Sequence, residues 1–225
     1  MTAHGGFLYA KSSSNTNASF YRYDPASNAW TSRAAAPCPT SCDSHNARMT
    51  ASPSHVYYFV LASDLYRYNP TSNSWSSRAD LPVTRESSDL VEYAGGYVYH
   101  LQFSTRDLRR YDIAQDSWSG ILETFPSTTY GYHDLCNVAG LLYAVSGQAG
   151  ARVYDPVGGG ITSEWLAPAE IMAYDESLAQ TYVWSGLGGT GSTFQSCDLS
   201  GQTSVVLSTP PHPIYSNAFA YIPAS

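Results

Sequence analysis

Polar side chains recur where the chain is about to begin an apolar run, at intervals close to one repeat length. The carboxylates and carboxamides are Asn46, Asp89, Asp134 and Asn217, with Glu170 in a looser alignment. Two histidines, His45 and His133, each precede one of them. If these runs are the inner strands of one fold, we expect the side chains to gather at the mouth of a central channel.

Three interpretations of this set stay open. Polar side chains at strand starts commonly bind backbone groups or buried water, which is a structural role. Carboxylates and amides beside exposed aromatic rings would instead recognise a hydroxyl-rich or cationic ligand. Asp and His are also ligands for zinc or iron, and Asp with Asn carbonyls for calcium. The chain has no His-x-His or Glu-x-x-His pair to make a metal site specific.

Two arginines and four tyrosines extend the set of candidate ligand-binding residues. Arg48 and Arg85 lie in or beside the starts of the same runs, where a guanidinium would bind a carboxylate through two parallel hydrogen bonds. The structural alternative is an ion pair with Glu86, Asp89 or Asp43. The tyrosines near loops, which we expect to stack on a ligand, are Tyr130, Tyr132, Tyr174 and Tyr215.

The elements that position these residues follow from an internal repeat. Segments 21–30, 66–75 and 109–118 each contain a Tyr followed by Asp or Asn, a turn sequence and then a Trp. A fourth copy begins at 152, and an eroded fifth surrounds Asp198. The Asp or Asn falls at 24, 69, 112, 155 and 198, so the repeat is 43 to 45 residues long.

Each repeat predicts four short strands, because short apolar and aromatic runs alternate with turn residues. Four strands per repeat of about 44 residues are typical of a propeller blade. We therefore predict an all-β fold, a five-bladed β-propeller in one domain, 1–225. The predicted blades are 1–37 with 212–225, then 38–82, 83–126, 127–168 and 169–211. We expect the C-terminal strand, 215–221, to complete the first blade and close the ring.

The repeats resemble those of the kelch family, which includes galactose-oxidase-like propellers. The resemblance rests on Gly95-Gly96, on Tyr111-Asp112 and on Trp118, with matches in the neighbouring repeats. Arg85, after Leu81-Pro82, stands where many kelch repeats have an arginine. The family implies a binding module in which arginines read acidic peptides, or an enzyme that holds iron near the channel. Five blades are fewer than the six or seven that the family implies.

Composition narrows the function classes. A formal net charge of −7 with a single lysine, Lys11, argues against nucleic-acid binding, which needs a basic surface. No apolar run is long enough to cross a membrane as a helix. Cys38 and Cys42 are close enough for a loop disulfide or a zinc pair, whereas Cys136 and Cys197 suit a buried core. We expect a secreted or cell-surface protein, with the cytoplasm as the alternative.

The sequence thus favours a monomeric binding module over an enzyme, without a cofactor. We expect it to recognise a glycan or a protein segment on the face formed by the loops that lead into the inner strands. The alternatives are a small metal-assisted lyase or hydrolase, and a structural unit of a larger assembly. The enzyme would use Asp89, Asp134, His45 and His133 at the channel mouth. Neither Gly-x-Ser-x-Gly nor His-Glu-x-x-His occurs in the chain.

Overall fold

The computed structural model describes eight stretches of the chain: 1–12, 18–38, 48–60, 63–128, 131–148, 150–176, 178–185 and 193–207. The described residues contain strands and turns and no helix. They fall into two compact units, of which the first spans Met1–Leu122 and the second begins at Glu123. The predicted fold class, an all-β propeller with five four-stranded antiparallel blades, is confirmed.

The first unit contains three blades, each a sheet whose strands lie in chain order. Blade one consists of β1 (Thr2–His4), β2 (Phe7–Lys11), β3 (Phe20–Asp24) and β4 (Ala29–Arg33). Blade two consists of β5 (Arg48–Ala51), β6 (Val56–Phe59), β7 (Leu65–Asn69) and β8 (Ser74–Ser77). Blade three consists of β9 (Leu90–Ala94), β10 (Tyr97–Leu101), β11 (Asp107–Asp112) and β12 (Ser117–Trp118).

The second unit contains the other two blades. A two-residue strand, β13 (Glu123–Thr124), comes first. Blade four consists of β14 (Asp134–Val138), β15 (Leu141–Val145), β16 (Ala151–Tyr154) and β17 (Ile161–Glu164). Blade five consists of β18 (Ile171–Asp175), β19 (Gln180–Ser185), β20 (Thr193–Asp198) and β21 (Thr203–Val206).

The first strand of blade one differs from our prediction. β1 pairs with β2 through Thr2↔Tyr9 and His4↔Phe7, so residues at the start of the chain take the position that we assigned to the C-terminal strand. A three-residue strand is too short to give a pattern in the sequence, which explains why it was missed. Segment 215–221 lies outside the described residues, and so does the closure that we predicted for it.

Apolar clusters pack between successive blades within each unit. Tyr9 and Phe20 of blade one meet Val56, Tyr58 and Tyr68 of blade two. Blades two and three share a cluster built from Tyr57, Phe59, Leu65, Val91, Val98 and Tyr111. Blades four and five share another, which contains Cys136, Tyr143, Val145, Met172, Val183 and Cys197. Both cysteines are free thiols in this core, as their apolar surroundings predicted.

The Tyr and Trp of the repeat hold neighbouring blades together. In blade three, Tyr111 donates to Asp116 Oδ1 at 2.6 Å, and the same oxygen accepts the amide of Ala79 in blade two. Trp118 Nε1 then donates to the carbonyl of Ala79 at 2.9 Å. Blade two binds Ala34 of blade one in the same way, through Tyr68, Asn73 and Trp75. The repeated Trp is therefore an inter-blade hydrogen-bond donor as well as packing volume.

The repeated Asp or Asn, which follows a Tyr in the first four blades and Cys197 in the fifth, closes the turn that comes after it. Its Oδ1 accepts the backbone amide two residues later at 2.8 to 2.9 Å, an arrangement that favours turn formation. The five residues are Asp24, Asn69, Asp112, Asp155 and Asp198. Asn serves as well as Asp here, so this repeated position is a turn and not an acidic binding site.

Candidate functional site

Asp89 lies immediately before β9, on the loop that leads into blade three. Both of its carboxylate oxygens accept hydrogen bonds at 2.8 Å, from the amides of Glu86 and Phe103 and from Nε2 of His100. The side chains of Asp89 and His100 are both completely buried. This predicted site residue therefore fixes the loop and the second strand of its own blade.

The electrostatics of Asp89 agree with its contacts. Burial alone raises the pKa of the Asp89 carboxyl, but the hydrogen bond and charge of His100 and the two backbone amides outweigh it and lower the pKa below its usual value. Asp89 is thus a buried carboxylate at neutral pH. It supplies the acceptors that its three N–H donors need.

The two predicted arginines also connect blades two and three. Arg48 Nε donates to the carbonyl oxygen of Asp89 at 3.0 Å. Arg85, which is 3% exposed, donates from Nε to the carbonyl oxygen of Val60 at 3.3 Å. In both cases a guanidinium of one blade binds the backbone of a neighbouring blade. The sequence did not predict these inter-blade bonds to backbone carbonyl groups.

Glu86 holds the loop that follows β10. Its carboxylate accepts the amide and the hydroxyl of Ser104 and, at 3.2 Å, the side-chain amide of Gln102. Together with Asp89, it ties segment 102–104 to the loop before β9. This face of blade three is therefore a rigid, internally bonded surface.

In the second unit, two of the predicted residues converge. A Cβ placed on Gly147 would lie 3.6 Å from Glu170 Oε1 and 3.9 Å from His133 Cε1, so the carboxylate and the imidazole flank one small space. Backbone bonds of 2.7 Å hold all three segments, since His133 binds Val145, Gly147 binds Ala169 and Glu170 binds Trp184. His133 and Glu170 are half-buried, which leaves part of each side chain at the surface.

The neighbouring predicted residues have structural contacts. Asp134 Oδ2 accepts the amide of Met172 at 2.9 Å, which joins blade four to blade five. Tyr132 is 5% exposed, and its hydroxyl donates to the carbonyl of Pro126 at 2.9 Å. Tyr174 packs against the shared core of these two blades. The remaining predicted residues, His45, Asn46, Tyr130, Tyr215 and Asn217, lie outside the described residues.

His100 is the residue of this region that the sequence pattern did not reveal. It lies on β10 at a position that Ala10, Tyr58 and Ala144 occupy in other blades, opposite the third strand of its sheet. The sequence signal that could have revealed His100 is a histidine at a strand position where blades one, two and four have Ala or Tyr. Its ring packs edge-on against Trp118, with centroids 6.4 Å apart.

Metal, redox and membrane features complete the description. Among the described residues, no group of three or more His, Cys, Asp and Glu side chains is arranged to hold a metal ion. Cys38 is disulfide-bonded, and its predicted partner Cys42 lies outside the described part of the chain. The same part contains no helix with the length and apolar character needed to span a bilayer.

The chain matches no protein-family model, and a search of curated proteins finds no match to it.

Proposed function

We propose that the protein is a binding module and that its ligand binds beside His133, Gly147 and Glu170. The observation that carries the proposal is the convergence of a half-buried carboxylate and a half-buried imidazole on a glycine that leaves space between them. The other described candidates on these loops, Asp89, Arg85 and Tyr132, are buried and so are out of reach of a ligand. The His133–Glu170 pair is therefore the best placed to contact a ligand.

The chemistry of this pair favours a hydroxyl-rich ligand such as a glycan. A carboxylate accepts hydrogen bonds from sugar hydroxyls, and a neutral imidazole both donates and accepts them. Blade scaffolds of this kind place binding groups on loops that a rigid framework holds in position. The resemblance to kelch repeats supports the same class of function, because such propellers serve as binding modules.

A glycan array probed with the labelled protein tests this proposal. E170Q should bind the glycans that the wild type recognises with an affinity that is about tenfold or more lower, because the variant loses a charge-assisted hydrogen bond. E164Q, a change on the exposed strand β17, is the matched control and should bind like the wild type. Equal binding by E170Q and the wild type would place the site elsewhere. An array without any bound glycan would reject the ligand class and favour a peptide.

We also propose that the protein works in an oxidising compartment, at the cell surface or outside the cell. The disulfide at Cys38 supports this location, because structural disulfides persist outside the reducing cytosol. Both free cysteines are buried, so they are protected from thiol–disulfide exchange with the Cys38 disulfide. Alkylation of the unreduced protein tests the oxidation state that this proposal requires.

A further inference from the structure

Blades one and three share a construction at the turn that joins their first two strands. Each turn is a Gly-Gly pair with positive φ at both residues, Gly5-Gly6 and Gly95-Gly96, which suits a tight two-residue hairpin. An aromatic residue follows each pair. Its ring covers an arginine of the third strand, with Arg22 4.2 Å from Phe7 and Arg110 4.3 Å from Tyr97.

Blade two departs from this construction at the same place. Its turn is Ser52-Pro53-Ser54-His55, since Ala51 pairs with Val56 across it. The register Tyr57↔Arg67 corresponds to Tyr9↔Arg22 and Tyr99↔Arg110, so Arg67 is the equivalent arginine. His55 then stands in the position of the covering aromatic ring. Blade two has thus replaced an apolar cover by a polar one.

The turn itself orients the imidazole of His55. Ser52 Oγ accepts the amide of His55 at 3.2 Å, and the backbone of Ser52 donates to the carbonyl of His55 at 2.9 Å. Ser54 Oγ lies 2.8 Å from Nδ1 of His55. When the hydroxyl donates to Nδ1, the ring proton of the neutral imidazole lies on Nε2, where it is available to an acceptor outside the turn.

Two further donors lie beside Arg67, because Tyr57 pairs with Arg67 on one side and Ser76, which binds Arg78, pairs with it on the other. Arg78 binds Asp116 through Nη1 at 3.4 Å and Ser76 through Nη2 at 2.8 Å, while its Nε is buried without a partner among the described residues. Tyr57 is completely buried, and its hydroxyl lies near Ser52 and Arg67 but makes no well-formed hydrogen bond within the described chain. Burial raises the pKa of Tyr57, so this hydroxyl stays a neutral donor.

Positive charge accumulates here in a chain whose net charge is −7. Burial, and after it the charges of Arg67, His4 and Arg78, lower the pKa of His55. Among the described residues, Asp116 is a carboxylate beside the two arginines, and its pKa is lowered mainly by the hydroxyl of Tyr111 and the amide of Ala79. Its oxygens already serve blade packing and Arg78. The second guanidinium, Arg67, has no carboxylate partner in the described part of the chain.

We propose that Arg67, Arg78 and the Ser52–His55 turn form an oxyanion-binding site, which we call the blade-two basic site. We expect it to bind a sulfate or phosphate group. Its donors come from a turn, a strand and a strand end, an arrangement that suits a tetrahedral anion better than a planar carboxylate. Guanidinium groups bind such oxyanions through charge-assisted hydrogen bonds. The site lies at the end of β5 away from Arg48, and it is independent of the His133–Glu170 pair.

Titration calorimetry with inorganic sulfate, at constant ionic strength in chloride, tests the site. The wild type should bind one sulfate, and R67Q should weaken binding by about tenfold or more, because a charge-assisted hydrogen bond is lost. R110Q is the matched control, since Arg110 has the same strand position but is covered by Tyr97. Absence of binding to the wild type, or an equal loss in R110Q, would overturn the proposal.

A second variant, competing anions and a pH series test the site further. R78Q should weaken sulfate binding as R67Q does, and a melting curve for each variant distinguishes loss of the site from loss of the fold. Inorganic phosphate should compete with sulfate, whereas tighter binding of acetate than of either would contradict a site for tetrahedral anions. Sulfate binding should tighten as the pH falls through the lowered pKa of His55, on which the charges of Arg67, His4 and Arg78 act. H55Q should abolish that pH dependence, and its persistence in H55Q would refute the assignment of His55.

Discussion

Replacement of Asp89 by Asn should destabilise the protein strongly, although the two side chains have nearly the same shape. Three N–H groups point at the carboxylate, two from the backbone and one from His100. An amide offers one acceptor oxygen and one NH₂ group, so at least one of these donors must face another donor. Because the site is completely buried, water cannot replace the lost acceptor.

The magnitude follows from these contacts. Of the three hydrogen bonds that the carboxylate accepts, the amide keeps at most two, and those two then have a neutral acceptor. A hydrogen bond to a charged acceptor is worth about 1.5–3 kcal/mol and a neutral one about 0.5–1.5 kcal/mol, so one lost bond and two weakened bonds cost about 3–5 kcal/mol. For a chain of this size, roughly 2–4 °C of melting temperature corresponds to each kcal/mol, so D89N should melt roughly 10 °C below the wild type.

The pH dependence of the stability difference between the wild type and D89N identifies its cause. The pKa of Asp89 is lower in the folded protein than its ordinary value of 3.8, so its stabilising contribution is fully present above that value. The contribution is lost as the pH falls through the folded pKa. The gap in unfolding free energy between wild type and D89N should therefore be constant near neutral pH and should narrow below about pH 4.

Chemical denaturation monitored by tryptophan fluorescence, from neutral to acidic pH, measures this gap. D112N is the matched control, because Asp112 caps a turn in the way that Asn69 does in blade two, and the substitution should change stability by about 0.5 kcal/mol or less. A loss below about 1 kcal/mol for D89N, or a gap that does not narrow in acid, would refute the reasoning.

Two other outcomes follow from the structure. W118F should lower the free energy of unfolding by about 1–3 kcal/mol, because the carbonyl of Ala79 loses its indole donor. W30F is the control and should lower it much less, since Trp30 is 53% exposed and donates no hydrogen bond within the described residues. Denaturation curves that are equally shifted for both variants would contradict the inter-blade bond. Alkylation of the unreduced, unfolded protein should label only the two thiols of Cys136 and Cys197, and the intact mass counts the labels. Four labelled cysteines would contradict an oxidised Cys38.

The sequence predicted the number of blades and the strands within them well. Turn chemistry is local, so the Asp or Asn at 24, 69, 112, 155 and 198 marks each blade without knowledge of the fold. The Trp that follows in blades two and three belongs to the same repeat. Its hydrogen bond to a carbonyl of the preceding blade could not be predicted, because the acceptor lies about 40 residues away and depends on how the two sheets pack.

The candidate site was predicted less completely. Asp89, Arg48 and Arg85 were predicted as ligand-binding residues from their positions, but polar residues before a strand can point outward to a ligand or inward to the fold. For Asp89 the choice depends on His100, which lies on the neighbouring strand and is buried with it. For His133 and Glu170 it depends on Gly147, whose missing side chain leaves space between segments that are distant in the sequence.

By itself, the sequence determined the repeat, the strand order within each blade and the turns, because these depend on backbone preferences within a few residues. Only the tertiary structure decided which polar groups are satisfied within the fold, since that depends on burial and on partners in other strands and blades. It also decided which residues correspond between blades. The register of β6 and β7 places His55 where the neighbouring blades have an aromatic ring, and so distinguishes the basic site of blade two from a solvated surface.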